Sequence, residues 1–413
     1  IVFYPAFKTK DEFYNQYYRL LWYSNPVKEN ISNIYIPLVN ISIDLNDKDE
    51  LPFYVDQTVT NFQKDIDKKI IFFNPNDTQY FQDIINKCDT LLEWQSERKK
   101  KMPITLLEYI ENVRNSKNIW RVDTINSRNE ASFYSRLSMF LDDRQKFNVS
   151  LSAYRFAKLV KKLKLLGRKN TIVFGTGPSL EEAMNEDLCF DDSVTIACNS
   201  MVKNIELLDK LRPEIIVAAD PIFHSGYSSY ASAFRKELLF ALDRYDAYLI
   251  TPLRDYKIYL ENLPAKYREK IIGIPLQSSK TINFNLLDNF YVKSYPNILT
   301  LFMIPIAASI SNSISIMGCD GRKMENNEYF WEHHKKSQFN DKMDEIKVAH
   351  PAFFNIDYDD YYLDHMKDLD NMILDGEKQG LTFTNITKSH MPCLQRISNL
   401  ERNNDLSPLN KSG

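Results

Sequence analysis

The residues best suited to chemistry stand just after runs that read as strands. Gly175-Thr176-Gly177-Pro178-Ser179-Leu180 follows one such run. Its glycines allow a tight turn, and Ser179 with Glu182 has the S-x-x-E spacing of a capping box that opens a helix. The amides at such a helix start favour a phosphate, although an ordinary strand-to-helix turn uses the same residues. Leu180 stands where a dinucleotide fingerprint needs its third glycine, so a nicotinamide-dependent dehydrogenase is disfavoured. After the next run come Cys198-Asn199-Ser200. Asn199 offers both a donor and an acceptor to a base or sugar, or else Asn199 or Ser200 caps a helix. A third run, Glu214-Ile-Ile-Val-Ala-Ala, ends in Asp220-Pro221-Ile-Phe-His224. A carboxylate there can act as nucleophile or base, or cap the helix that follows.

Further along, Gly318-Cys319-Asp320-Gly321-Arg322-Lys323 opens an irregular stretch that reaches about Asp364 and carries His333, His334, Lys335, Lys336 and His350. So long a connection in a compact domain builds a site or a lid. The adjacent histidines lack the i, i+4 spacing of a helical zinc site, so no metal is expected. Asp357-Tyr-Asp359 and Asp368-Leu-Asp370 have a D-x-D pattern short enough to arise by chance. His365 precedes the helical run Met366 to Lys378, from which an imidazole can enter a cleft or merely cap a surface helix. His224 and His350 stand behind it as proton-transfer candidates. Arg322 or Lys335 can pair with an anionic ligand.

Positioning these residues requires a particular set of elements. All ten glycines lie at or after Gly167 and all six histidines at or after His224, which assigns the chemistry to the second half. From Thr171, β-rich runs at 171–175, 193–199, 214–220, 247–252, 270–276, 313–319 and 381–386 mostly alternate with helical patterns. Such near-continuous apolar strands imply a parallel sheet covered on both faces, the doubly wound α/β architecture. The first half reads as strands at 1–4, 33–39 and 69–73 with helices at 10–23 and 78–92. The expected layout is an N-terminal α/β domain over 1–130, a helical linker over 131–166, and a catalytic domain over 167–413, the two Rossmann-like domains facing a cleft. The linker ends in a lysine-rich run from Lys158 that is either a solvated face or one that rests on an anionic membrane.

The net charge is only −3, with 52 basic and 55 acidic residues, so no global field draws the chain to nucleic acid. Five scattered cysteines without C-x-x-C spacing argue for a reducing cytoplasm and against a disulfide framework. The longest apolar stretch, Asn297 to Ile310, is shorter than the roughly 18 to 20 residues of a membrane span. Ile1 opens the chain inside a strand, so residues before it are expected.

Taken in order, the motifs resemble the bacterial CMP-sugar glycosyltransferases of the sialyltransferase type. That family has a strand followed by G-x-G-P-S-L, a strand ending in C-N, and a strand ending in N-P or D-P with aromatics behind it. The matching residues are Gly175 to Leu180, Cys198-Asn199 and Asp220-Pro221-Ile-Phe223, and Gly318-Cys-Asp320-Gly321 is similar to the later S-G-x-D element. The resemblance covers about 171–390. It implies that Gly175 to Ser179, Asn199, Ser200, Asp320 and Gly321 hold the donor, and that His365 falls where the family keeps its catalytic histidine. The departure is Asp220, where inverting sialyltransferases tend to have asparagine. An aspartate there can form a covalent glycosyl adduct and so retain configuration, which looks like the retaining β-Kdo transferases of bacterial surface polysaccharides. The expected partners are a CMP-sugar donor, CMP-Kdo foremost, and a saccharide or lipid-linked saccharide acceptor, with no cofactor and no metal. Two alternatives stay open: an inverting sialyltransferase with His365 as base, and a nucleotide-binding module without turnover.

Overall fold

The structure is a computed structural model that describes residues 1–46, 51–95, 109, 118–184, 188–322, 335–355 and 358–398. Five strands form the first sheet: β1 (Val2–Tyr4), β2 (Ile34–Pro37), β3 (Ile70–Phe73), β4 (Thr90–Glu93) and β5 (Asn118–Arg121), ordered β3-β2-β1-β4-β5 and parallel throughout. The second sheet comprises β6 (Asn170–Phe174), β7 (Ser193–Cys198), β8 (Ile215–Val217), β9 (Tyr248–Pro252), β10 (Ile271–Ile274), β13 (Ser313–Met317) and β14 (Thr382–Asn385). Its order is β10-β9-β8-β7-β6-β13-β14, again all parallel. A two-stranded ladder of β11 (Leu276–Gln277) and β12 (Val292–Lys293) lies apart. Both large sheets are doubly wound, as the alternating pattern implies.

Helices cover each face, which is why the central strands read as unbroken apolar runs. Ile172, Ala197, Ile216 and Leu249 face one core, while Val173, Ile196, Val217 and Ile250 face the other. The order in which strands are added reverses between β6 and β13 in the second sheet and between β1 and β4 in the first. Ligands of open parallel sheets bind at that crevice, beyond the carboxyl ends of the strands. In the first sheet the crevice is filled: Phe7 and Trp94 stack there at 4.5 Å, and Trp94 Nε1 donates to Pro5 O at 2.6 Å. In the second it is open.

Two expectations need correction. The helix expected over 78–92 stops at Lys87, and β4 follows at once, because Thr90-Leu-Leu-Glu is an apolar run too short for its period to tell strand from helix. The expected linker is two helices, Glu130–Leu141 and Gln145–Lys164, parted at Asp142, which accepts from Lys257 Nζ at 2.7 Å and Asn148 Nδ2 at 2.7 Å. The second of these is no free connector. Phe156, Leu159, Val160 and Leu163, at helical spacing, bury into the core of the second sheet.

The two units are joined by buried polar contacts. Trp22 Nε1 donates to Ser225 O at 2.8 Å, Arg235 pairs with Asp56 at 2.7 Å, and the Asp56 amide donates to Tyr227 O at 2.7 Å. At the centre, Arg19 lies 3.5 Å from Glu130 and donates to Ala349 O, while Glu130 also meets His350 Nδ1. Pairs this deeply buried stabilise little against well-packed apolar residues, but losing one partner would strand a charge.

Candidate active site

A cavity of about 590 Å³ opens at the second sheet's switch point, under the ends of β6, β7, β8 and β13. Its wall includes Gly175 to Gly177, Cys198 to Ser200, Asp220, His224, Cys319 to Gly321 and His365, so the structure gathers most of the expected residues around one space. Asp220 caps the short turn Pro221–Ser225, its Oδ1 accepting from Ile222 N at 2.9 Å. Oδ2 takes no hydrogen bond from any described residue. Burial pushes the Asp220 carboxyl up to about 6, although the Ile222 amide and the nearby Arg254 pull it down. At neutral pH a group of that pKa is about nine-tenths ionised. The cap and the chemically available carboxylate, alternatives in the sequence, coexist in one side chain.

Asn199 is the second unusual residue. Its backbone sits in the left-handed region at φ 50°, which asparagine tolerates better than other side chains. Its Oδ1 is buried and has no hydrogen-bond partner among the described residues. A buried orphan acceptor on a strained backbone at a cavity wall calls for a partner that the described residues do not supply. Asn199 begins the short helix Asn199–Lys203, yet its side chain makes no capping bond.

Other expected roles change. The amides of Gly175, Gly177 and Leu180 donate to Met317 O, Gly318 O and Gly177 O, so the turn is not an open ring of phosphate-binding N–H groups. Ser179 is not at a capping box: its amide donates to Asp320 Oδ2 at 2.7 Å, and its hydroxyl meets Oδ1. Neither Pro178 nor Ser179 lines the cavity. The glycines serve the meeting of two strand ends, since a Cβ on Gly177 would lie 2.7 Å from the Asp320 carboxyl carbon and one on Gly175 would lie 2.4 Å from Gly318 O. The Ser200 hydroxyl donates to Ser337 O.

Arg322 is buried, pairs with Asp359 and stacks over Tyr362 at 5.3 Å, away from the cavity. It anchors the helix Tyr358–Lys378, on which His365 sits two turns in and not ahead of the first turn as expected. Burial lowers the His365 imidazole to about 4, leaving it neutral at pH 7. His224 is lowered to about 3 by burial, and its Nδ1 accepts the Asp220 amide at 3.2 Å, so it fixes the Asp220 backbone and moves no proton. His350 is out of the cavity altogether, buried on Glu130 between the two units, with its imidazole pKa lowered by that burial. The expected donor contact at Lys335, together with Lys323, His333, His334 and Asp357, lies outside the described residues or side chains. Among the described residues no three His, Cys, Asp or Glu side chains gather as a metal site.

Sequence reasoning missed four wall residues: Arg128, Arg136, Arg254 and Tyr361. Arg254 lies two residues beyond β9 and donates to Ala219 O at 3.0 Å, so reading that strand end would have found it. Tyr361 stands one helical turn before His365, a spacing that shares a face. Arg128 and Arg136 carry no sequence signal, because exposed arginines beside a helix ordinarily face solvent.

No family model matches this chain, and no curated protein matches it. Among solved structures there is a weak similarity to the monofunctional alpha-2,3-sialyltransferase Cst-I from Campylobacter jejuni, 15% identical, covering 60% of this chain and 86% of that one with a TM-score of 0.30. A TM-score of that size is not identity of fold, and the functional reading rests on the cavity's own residues.

Proposed function

We propose that the chain is a glycosyltransferase that moves a keto sugar acid, Kdo, from CMP-Kdo to a saccharide or lipid-linked saccharide in bacterial surface-polysaccharide synthesis, with retention of configuration. The observation that carries this reading is Asp220, a carboxylate at the switch-point cavity with one oxygen fixed by the Ile222 amide and the other without a partner among the described residues. Asn199, with its orphan acceptor, meets the amino or hydroxyl groups of the nucleotide. In the first step an Asp220 oxygen bonds to the anomeric carbon as the bond to the CMP phosphate oxygen breaks, and CMP leaves with the electron pair. In the second, the acceptor hydroxyl attacks that carbon, the bond to Asp220 breaks, and neutral His365 takes the hydroxyl proton. The steps as written need no divalent ion.

Contact with the inner face of the cytoplasmic membrane belongs to the same reading. On the helix Gln145–Lys164 and just past it, Phe147 (63% exposed), Tyr154 (65%), Lys158, Lys161 and Leu165 (78%) recur at 7, 4, 3 and 4 residues, one helical face. Apolar side chains among lysines that pair with no described residue fit an anionic bilayer surface. No described helix is long and apolar enough to cross a membrane.

The test is intact-protein mass spectrometry after brief incubation with CMP-Kdo or with CMP-sialic acid, comparing wild type with Asp220→Ala. A gain of one sugar residue with CMP-Kdo, absent from the variant, is expected. CMP release without any adduct would move the assignment to an inverting transferase with His365 as base. Binding of CMP with no turnover of either donor, across a panel of acceptors, would leave a nucleotide-binding module.

A further inference from the structure

We infer that Arg128, Arg136 and Arg254 form the site that receives the carboxylate borne by the reacting carbon of the donor, and so select sugar acids over neutral sugars. The inference rests on the transferase reading above. All three line the cavity that holds Asp220. Arg254 is bonded to Ala219 O, one residue before Asp220, and is close enough to bias the Asp220 carboxyl towards its charged form. Arg136 and Arg254 are close enough to oppose each other's charge. Arg128 and Asp220 both bear on the Tyr361 hydroxyl from within the same wall.

The local charges do not balance. Arg128 and Arg136 make no ion pair with any described carboxylate, and Arg254 has only its chain neighbour Asp255 at 3.5 Å. Asp320, the other acidic group of the wall, is committed to Ser179. Three cations that have only Asp220 and Asp255 bearing on them leave a net positive charge, which is a site for an anion. The proposed chemistry demands one there. When Asp220 attacks a carbon that itself bears a carboxylate, two negative groups are driven together, and cations beside Asp220 offset that repulsion.

The experiment is titration calorimetry with CMP and with CMP-Kdo on chains carrying Asp220→Asn, which stops turnover and keeps an acceptor for Ile222 N. Onto that background Arg136→Gln, Arg128→Gln and Arg136→Lys are added. Expected is a loss of CMP-Kdo affinity of about tenfold or more in each Gln chain, with CMP affinity within twofold and partial rescue by lysine. Equal loss for both ligands would assign the arginines to the phosphate and overturn the inference, as would no change in either. Failure of the parent chain to bind CMP at all would refute the donor reading itself, an outcome distinct from both.

Discussion

Replacing Asp220 by asparagine should make the protein more stable while disabling it. The carboxyl has a native pKa of about 6 against 3.8 when unperturbed, a shift of about two units caused mainly by burial. At about 1.36 kcal/mol per unit, the ionised side chain costs the fold up to about 3 kcal/mol above pH 6, and water in the cavity brings the expected figure to roughly 1–3 kcal/mol. Asparagine removes that charge and keeps an oxygen for the Ile222 amide. The sign follows from proton binding: between pH 3.8 and about 6 the native state holds more protons than the unfolded chain, so wild-type stability falls as pH rises through that window. The advantage of Asp220→Asn should be full at pH 8 and shrink to about a third at pH 4.5, where the native carboxyl is almost wholly protonated while the unfolded one is still mostly ionised. Urea unfolding of both proteins at the two pH values measures it. An advantage that is absent at pH 8, or as large at pH 4.5, would refute the claim that burial strains this carboxylate.

Asn199→Gly keeps the left-handed backbone and removes the orphan acceptor, so it should weaken CMP binding about tenfold with under 1 kcal/mol change in stability; unchanged calorimetric affinity would take Asn199 out of the nucleotide site. Gly177→Ala should destabilise by roughly 1–3 kcal/mol, because its Cβ meets the Asp320 carboxylate that holds Ser179, and thermal unfolding reads it. The acid limb of the turnover profile should fall below a pH of about 6 as Asp220 protonates, whereas protonation of His365 would place it near 4. Phe147→Ser with Tyr154→Ser should abolish sedimentation with vesicles of anionic lipid and leave turnover of a soluble acceptor intact.

The strands of the second sheet and the cavity at its switch point were legible because buried parallel strands leave long apolar runs and ligands gather at their carboxyl ends. Asp220 and Asn199 stand out on that logic alone, whereas His365 stands out only as a histidine beside a helical run and in fact lies two turns inside that helix. The Gly175 to Ser179 turn was misread because a G-x-G looks the same whether backbone must approach a phosphate or a neighbouring strand end. Asp320, 141 residues away from Ser179, decides between the two, and no local pattern announces it. Arg128 and Arg136 were illegible for a related reason. Nothing local distinguishes Arg136 from a solvated surface residue until the helix Glu130–Leu141 is packed between Lys10–Ser24 and Leu253–Asn262.

The bond from Arg19 to Ala349 spans 330 residues. Beside it, Glu130 fixes the start of the helix that carries Arg136, so the cavity's charge is completed only when the first unit docks. On the proposed reading, catalytic competence therefore depends on that docking. A chain whose second unit folded first would hold Asp220 in a half-built pocket, and could neither bind a sugar acid in full nor transfer one. Contacts of such long range form slowly, which ties the appearance of activity to docking more than to either sheet. Activity recovered during refolding should lag the return of parallel-sheet structure, making transfer a late reporter of assembly.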